Sequence, residues 1–130
     1  WRGRPVFVVN IPKENTNFIT KNLERLADPN MEDPSQPDYA KNDIRSRKEG
    51  IAVLTGVCTH LGCAPKYYPE AKPEDFDSNW QGGFFCPCHG SKFDLVGRVY
   101  ANVPAPTNLV VPPHFFEKDN VLVIGSDGVS

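Results

Sequence analysis

Two short segments gather nearly all of the chain's metal-binding chemistry: Cys58-Thr59-His60-Leu61-Gly62-Cys63 and Cys86-Pro87-Cys88-His89-Gly90-Ser91. All four cysteines and two of the three histidines fall within these twelve positions. Packing does not explain such clustering, because buried cysteines behave as small apolar residues and scatter through a core. A structural zinc site would usually draw its thiolates as a C-x2–4-C pair from one knuckle. Each segment here offers cysteine and histidine together, as Cys58-x-His60 and Cys86-x2-His89. That supply suits a two-iron centre in which two thiolates hold one iron and two imidazoles the other. It leaves one cysteine over in each segment, Cys63 and Cys88. A tetrahedral Cys2His2 zinc site stays chemically open. A thiol-redox role for Cys86-Pro87-Cys88 is weaker, because one residue rather than two separates the thiols.

The ligand types set the electron chemistry. Four thiolates around a diferric cluster give a formal charge of about −2, and replacing two of them by neutral imidazoles brings it to about zero. Adding an electron to a neutral centre in a low dielectric costs far less than adding it to an anion. The potential accordingly moves from about −400 mV for all-cysteine ferredoxins to between about −150 and +300 mV. Such a centre can take an electron from a hydroquinone.

The elements that must position these segments are mostly strands and loops. At 130 residues the chain is one domain, with 39% apolar and 23% charged residues, as in a soluble globular protein. Net charge is −2 with no basic stripe, which argues against a nucleic-acid partner. No apolar run is long enough to span a bilayer. Thirteen prolines, about twice the usual share, favour loops and sheet edges over a helical bundle. Pro5–Asn10 and Ile51–Val57 read as strands, the second buried and leading to Cys58. Thr16 to Leu26 is the one helical pattern: Thr16 can cap it, Ile19, Leu23 and Leu26 share a core-packing face, and Asp28-Pro29 stops it. Asp28 to Tyr39 reads as a surface loop. Residues 64–85 form a long excursion with a solvated acidic stretch at Glu70–Asp77. Lys92–Tyr100 and Phe115–Ile124 are further strand candidates, the latter turning at Lys118-Asp119-Asn120. The class is mainly β.

The two motifs resemble the Rieske iron–sulfur subunits of cytochrome bc1 complexes. The opening Trp1-Arg2-Gly3-Arg4-Pro5-Val6, the stretch at Ala27-Asp28-Pro29 and Pro104-Ala105-Pro106 share the resemblance. The excursion 64–85 and the run Asn108-Leu109-Val110-Val111-Pro112-Pro113-His114 look like the proteobacterial branch. The resemblance implies a Rieske fold of stacked antiparallel sheets with one helical insertion. It also implies a cluster-binding subdomain at about 56–107 on a base formed by about 1–55 and 108–130. It implies one [2Fe–2S] cluster, with Cys58 and Cys86 on the inner iron and His60 and His89 on the outer one. Cys63 and Cys88 would form a disulfide between the loops, Leu61 an exposed docking contact, and Pro104-Ala105-Pro106 a third loop over the cluster. The proline tripeptide equally suits a stiff turn. Ser91 resembles the serine that donates a hydrogen bond to the cluster, its alternative being a turn serine after Gly90. Position 93 departs from the pattern: many relatives carry a tyrosine that donates a second such bond, whereas this chain has Phe93. A lower potential is expected from that change.

By the same resemblance the subunit passes electrons from quinol to cytochrome c1, with cytochrome b and cytochrome c1 as partners. His89 would accept the quinol hydrogen bond and its proton, with His60 beside it. A more positive oxidised centre favours release of an imidazole proton and reduction favours its uptake, so the two rings titrate as a pair. The expected location is the periplasmic side of a bacterial inner membrane, with an N-terminal transmembrane anchor missing from this chain. An oxidising compartment permits the disulfide. A Rieske oxygenase would need a second, mononuclear iron held by two histidines and a carboxylate, and only His114 remains for it. His114 itself reads as a surface or turn residue, and Trp80, Phe84 and Phe85 as core. The nearer rival is the Rieske small subunit of an arsenite oxidase, which pairs with a molybdenum protein.

Overall fold

The computed structural model describes residues 1–11, 23–118 and 120–128. Strand β1 (Val6–Asn10) pairs antiparallel with β2 (Ile51–Thr55), Val6 opposite Thr55 and Asn10 opposite Ile51. β3 (Lys66–Tyr68), β4 (Gly83–Phe85) and β5 (Lys92–Phe93) form a second antiparallel sheet with β4 in the middle. β6 (His114–Lys118) and β7 (Val121–Ile124) make a hairpin. The mainly β class expected from the prolines and β-branched runs holds, with every strand pair antiparallel.

One core ties these sheets together. Val9 from β1, Leu54 from β2, Phe84 from β4 and Phe93 from β5 pack with Val96, Val99, Leu109 and the free cysteines Cys58 and Cys86. β2 is apolar on both faces, and Ala52, Val53, Leu54 and Thr55 are all buried. Its far edge is covered by the chain at Val110, whose carbonyl accepts the Thr55 amide. A second cluster joins Leu26, Trp80 and Tyr100, and the Trp80 indole donates to the Tyr68 carbonyl. Trp80 and Phe84 are core as expected; Phe85 is half-buried and stacks on Phe76 with centroids 4.1 Å apart.

Several local expectations change. Of the helix placed over Thr16–Leu26, the part up to residue 22, with Thr16 and Ile19, lies outside the described residues. Leu23–Arg25 forms a single 3-10 turn, and Leu26 bridges to Tyr100 instead of continuing it. Leu26 is buried as expected, but Leu23 is exposed. The Asp28–Tyr39 segment is not wholly superficial, since Met31 and Ser35 are buried. Its fold comes from Asp28, whose carboxylate accepts the Glu32 and Asp33 amides. Strand β5 stops at Phe93 because Asp94 turns the chain, one carboxylate oxygen accepting the Val96 and Arg98 amides. The chain rejoins at the Phe93–Val99 bridge. His114 is buried in β6, not at the surface: its Nδ1 lies 2.8 Å from the Pro112 carbonyl and its ring meets Tyr39 edge-on. Burial pushes its pKa down despite that carbonyl. Asp77, read within the solvated acidic stretch, has a carboxylate only 6% exposed, held by Arg25 at 2.5 Å and Lys92 at 3.2 Å. Among the described residues no helix is long and apolar enough to cross a membrane.

Candidate metal centre

β2 and β4 each run into one of the two motif loops, 58–63 and 86–91. The loops share one backbone frame. In each, the first residue's amide donates to the sixth residue's carbonyl: Cys58 to Cys63 at 2.7 Å, Cys86 to Ser91 at 2.8 Å. The fifth residue's amide returns to the first carbonyl, Gly62 to Cys58 at 3.0 Å and Gly90 to Cys86 at 2.9 Å. Closing the frame puts that glycine in the left-handed region, φ +86° at Gly62 and +85° at Gly90. A side chain there would cost roughly 1–2 kcal/mol. The frame therefore aligns Cys58 with Cys86 and Cys63 with Ser91, while the histidines sit one position out of step.

Three ties lock the loops to each other and to the chain that covers them. Cys63 and Cys88 form a disulfide, with Cα atoms 6.6 Å apart. Thr59 Oγ1 donates to the Thr107 carbonyl at 2.6 Å. Ser91 Oγ accepts the Ala105 amide at 2.9 Å, so the Pro104-Ala105-Pro106 loop hangs on the second motif. Ala105 is buried in the core beside Cys58 and Cys86, while Pro104 and Pro106 stay exposed. The leftover cysteines thus pair as the resemblance implied. The Thr59 and Ala105 ties left no signal in the sequence beyond lying in or near the motifs.

The four candidate ligands split by environment. Cys58 and Cys86 are free thiols, each 2% exposed. Burial pushes the Cys58 thiol up, and the neighbouring Cys86 adds to that; the His60 amide and the Ser91 hydroxyl pull the other way by hydrogen-bonding the sulfur. The Cys58 thiol thus resists ionisation alone, whereas a bound cation favours thiolate ligands. The imidazoles of His60 and His89 lie edge to face with centroids 4.8 Å apart. His60 is half-buried and His89 exposed, and between the histidine and the glycine of the first loop Leu61 stands 69% exposed.

The sulfurs of Cys63, Cys86 and Cys88 lie within 4.8 Å of one another. That trio is not a metal site, because the Cys63 and Cys88 sulfurs are spent on each other. What remains is two buried thiols and two facing imidazoles on clamped loops. This donor set fits a [2Fe–2S] cluster with sulfur on one iron and nitrogen on the other. His114 lies outside it, its ring packed against Tyr39 and Phe116.

Comparison with known proteins agrees with this chemistry. The family model described as the Rieske [2Fe–2S] domain matches residues 41–113. The ubiquinol-cytochrome c reductase iron-sulfur subunit of Allochromatium vinosum is 54% identical over 127 residues, 98% of this chain and 61% of that protein. The subunit of the same name from Rhodospirillum rubrum is 42% identical over 96% of this chain and 61% of its own length. The mouse mitochondrial cytochrome b-c1 complex subunit Rieske is 39% identical, over 96% of this chain and 39% of its length. The chain thus spans about three-fifths of its bacterial relatives. Among solved structures, a chain of a hyperthermophilic respiratory Complex III superposes with a TM-score of 0.53 and 28% identity, over 95% of this chain and 60% of that one.

Proposed function

Because the chain belongs to the Rieske [2Fe–2S] domain family, we propose that it carries single electrons from quinol to cytochrome c1 as the iron–sulfur subunit of a cytochrome bc1 complex. The observation that carries the proposal is the pairing of two facing imidazoles, 4.8 Å apart, with two buried free thiols on loops closed by a disulfide. When bound, the cluster supplies a one-electron couple in the range of about −150 to +300 mV.

The chain's own residues do the rest. Cys58 and Cys86 hold the inner iron in the apolar core, where water is excluded. His60 and His89 hold the outer iron. His89 is the more exposed ring, so its nitrogen left free of iron receives the quinol hydrogen bond and then the proton. His60 carries the second exchangeable proton. Leu61 offers an apolar contact beside the rings to the partner that docks there. Ser91 steadies the Cys58 sulfur by its hydroxyl, which favours the added electron. Residues 56–107 act as the cluster-binding unit, with Pro104-Ala105-Pro106 as its cover. The partners are cytochrome b and cytochrome c1. The site faces the periplasm of a bacterial inner membrane, where a disulfide persists, and a membrane helix N-terminal to these residues completes the proposal.

Purified protein should contain two irons and two acid-labile sulfides, and give a Rieske-type EPR signal after dithionite reduction. Its potential should fall with rising pH in the alkaline range; a flat profile would remove the proton-coupled part. A colourless protein with one zinc ion would sink the whole reading. Co-purification with cytochromes b and c1 supports the bc1 assignment, whereas a molybdopterin partner would replace it with the arsenite oxidase type.

A further inference from the structure

Arg45 is the most deeply buried charge in the described structure, with 0% of the residue exposed. It stands in the middle of the fold, not at its rim. Nη1 donates to the Val96 carbonyl at 3.0 Å. Nη2 donates to the Leu109 carbonyl, and to the Ser35 carbonyl at 3.3 Å and hydroxyl at 3.2 Å. Nε reaches the Gln36 side-chain oxygen at 3.3 Å. Every one of these acceptors is neutral.

Among the described residues no carboxylate comes within ion-pair distance of the guanidinium. The acids that act on it, Asp94, Asp28 and Asp33, do so from farther off. Asp94 is already paired with Arg98 at 2.6 Å, and the Asp28 carboxylate is engaged by the Glu32 and Asp33 amides. Burial lowers the Arg45 pKa to about 10, which leaves it charged at neutral pH. A buried cation with no direct ion pair is expensive, and one that persists is commonly tied to function.

What it faces decides what it can do. Val96 and Leu109, whose carbonyls hold the guanidinium, belong to the same apolar core as Cys58, Cys86, Phe93 and Ala105. The carbonyls that hold the guanidinium and the two thiols thus belong to residues of one apolar core. A charge inside such a medium is weakly screened by solvent and salt. We infer that Arg45 is an electrostatic residue for the redox centre: its positive charge, hydrogen-bonded only to neutral acceptors and anchored on carbonyls of the core that contains Cys58 and Cys86, stabilises the added electron and raises the reduction potential. The inference rests on the cluster reading above.

The test is protein-film voltammetry and EPR on the cluster-loaded protein at low and high salt. Arg45→Gln removes the charge, and Arg45→Lys keeps it. A counter-charge added in place serves as an independent route: Ser35→Asp puts a carboxylate beside Nη2, with Ser35→Asn as its neutral control. Arg45→Gln and Ser35→Asp should each lower the equilibrium constant for electron uptake several-fold, up to about tenfold, which is about 59 mV for a one-electron couple. Arg45→Lys and Ser35→Asn should stay near wild type, and the shifts should survive high salt. If Arg45→Gln does not fold, the Ser35 pair decides alone. Equal potentials for Ser35→Asp and Ser35→Asn, or equal shifts for Arg45→Gln and Arg45→Lys, would overturn the inference. Absence of the iron signal in the wild type would instead fail the cluster reading itself.

Discussion

The two motif loops are alike in backbone and unlike in what they carry. Both start on a buried cysteine that follows a strand, directly in the second loop and after two intervening residues in the first, close by the same pair of hydrogen bonds and turn on a left-handed glycine. Their sixth positions then diverge. In the first loop Cys63 spends that position on the disulfide; in the second, Ser91 spends it on the Ala105 amide and the Cys58 sulfur. The second loop is also braced from outside, because the next residue, Lys92, joins Arg25 on the buried Asp77 carboxylate. The lesson is that a repeated backbone frame fixes where the sulfurs go, while side chains at equivalent positions divide the work of clamping and tuning.

The largest effect should come from cutting the one covalent tie. Cys63→Ser, with Cys88→Ser as its partner variant, should lower stability by about 3–4 kcal/mol on the chain-entropy model for this 25-residue separation. Urea melts check this, and cluster loss on dilution should accelerate in both variants. A loss confined to the Cys63 variant would show that the first loop has a second use for that residue.

Breaking the brace on the second loop comes next. Asp77→Asn strands two cations and should cost about 2–3 kcal/mol at neutral pH. Burial works against the Asp77 carboxylate, but the Asn79 amide, Arg25 and Lys92 outweigh it and hold its pKa below the ordinary range. A depressed carboxylate stabilises above its unfolded pKa and loses that contribution as pH falls through the folded one. The gap between wild type and variant should therefore begin to narrow below about pH 4 and close only once pH has fallen past the lowered folded pKa. A gap that persists there would mean the carboxylate charge is not what matters.

Ser91→Ala tests tuning. It orphans the Ala105 amide and should cost about 1–2 kcal/mol, while lowering the reduction potential; Phe93→Tyr should raise it by offering a further hydrogen bond to a ligand sulfur. An unchanged potential in both would leave the second loop with no tuning role. The smallest effect should fall equally on both loops. Gly62→Ala and Gly90→Ala meet only open space or a contact at 4.0 Å, so each should cost about 1 kcal/mol from its positive φ alone. Unequal costs would break the equivalence of the two frames.

Much of the centre was legible in the residues because metal chemistry is short-range in sequence. Thiolate and imidazole identities at tight spacing leave few sites they can build, so a donor set could be proposed, and the leftover cysteine pair and the β class read, before any coordinates. The rest depends on segments distant in the chain. Arg45 meets Ser35, Val96 and Leu109, and Asp77 meets Arg25 and Lys92, across separations that carry no local pattern. His114 looked superficial beside two prolines, and only the packing of Tyr39 and Phe116 around it buries it. The end of β5 turned on Asp94, where a carboxylate competed with the strand for backbone amides. Sequence alone determined which atoms are available to hold iron. Tertiary structure decided which of them are buried, which face solvent and which charge stands behind them, because desolvation and Coulomb interactions depend on distance in space.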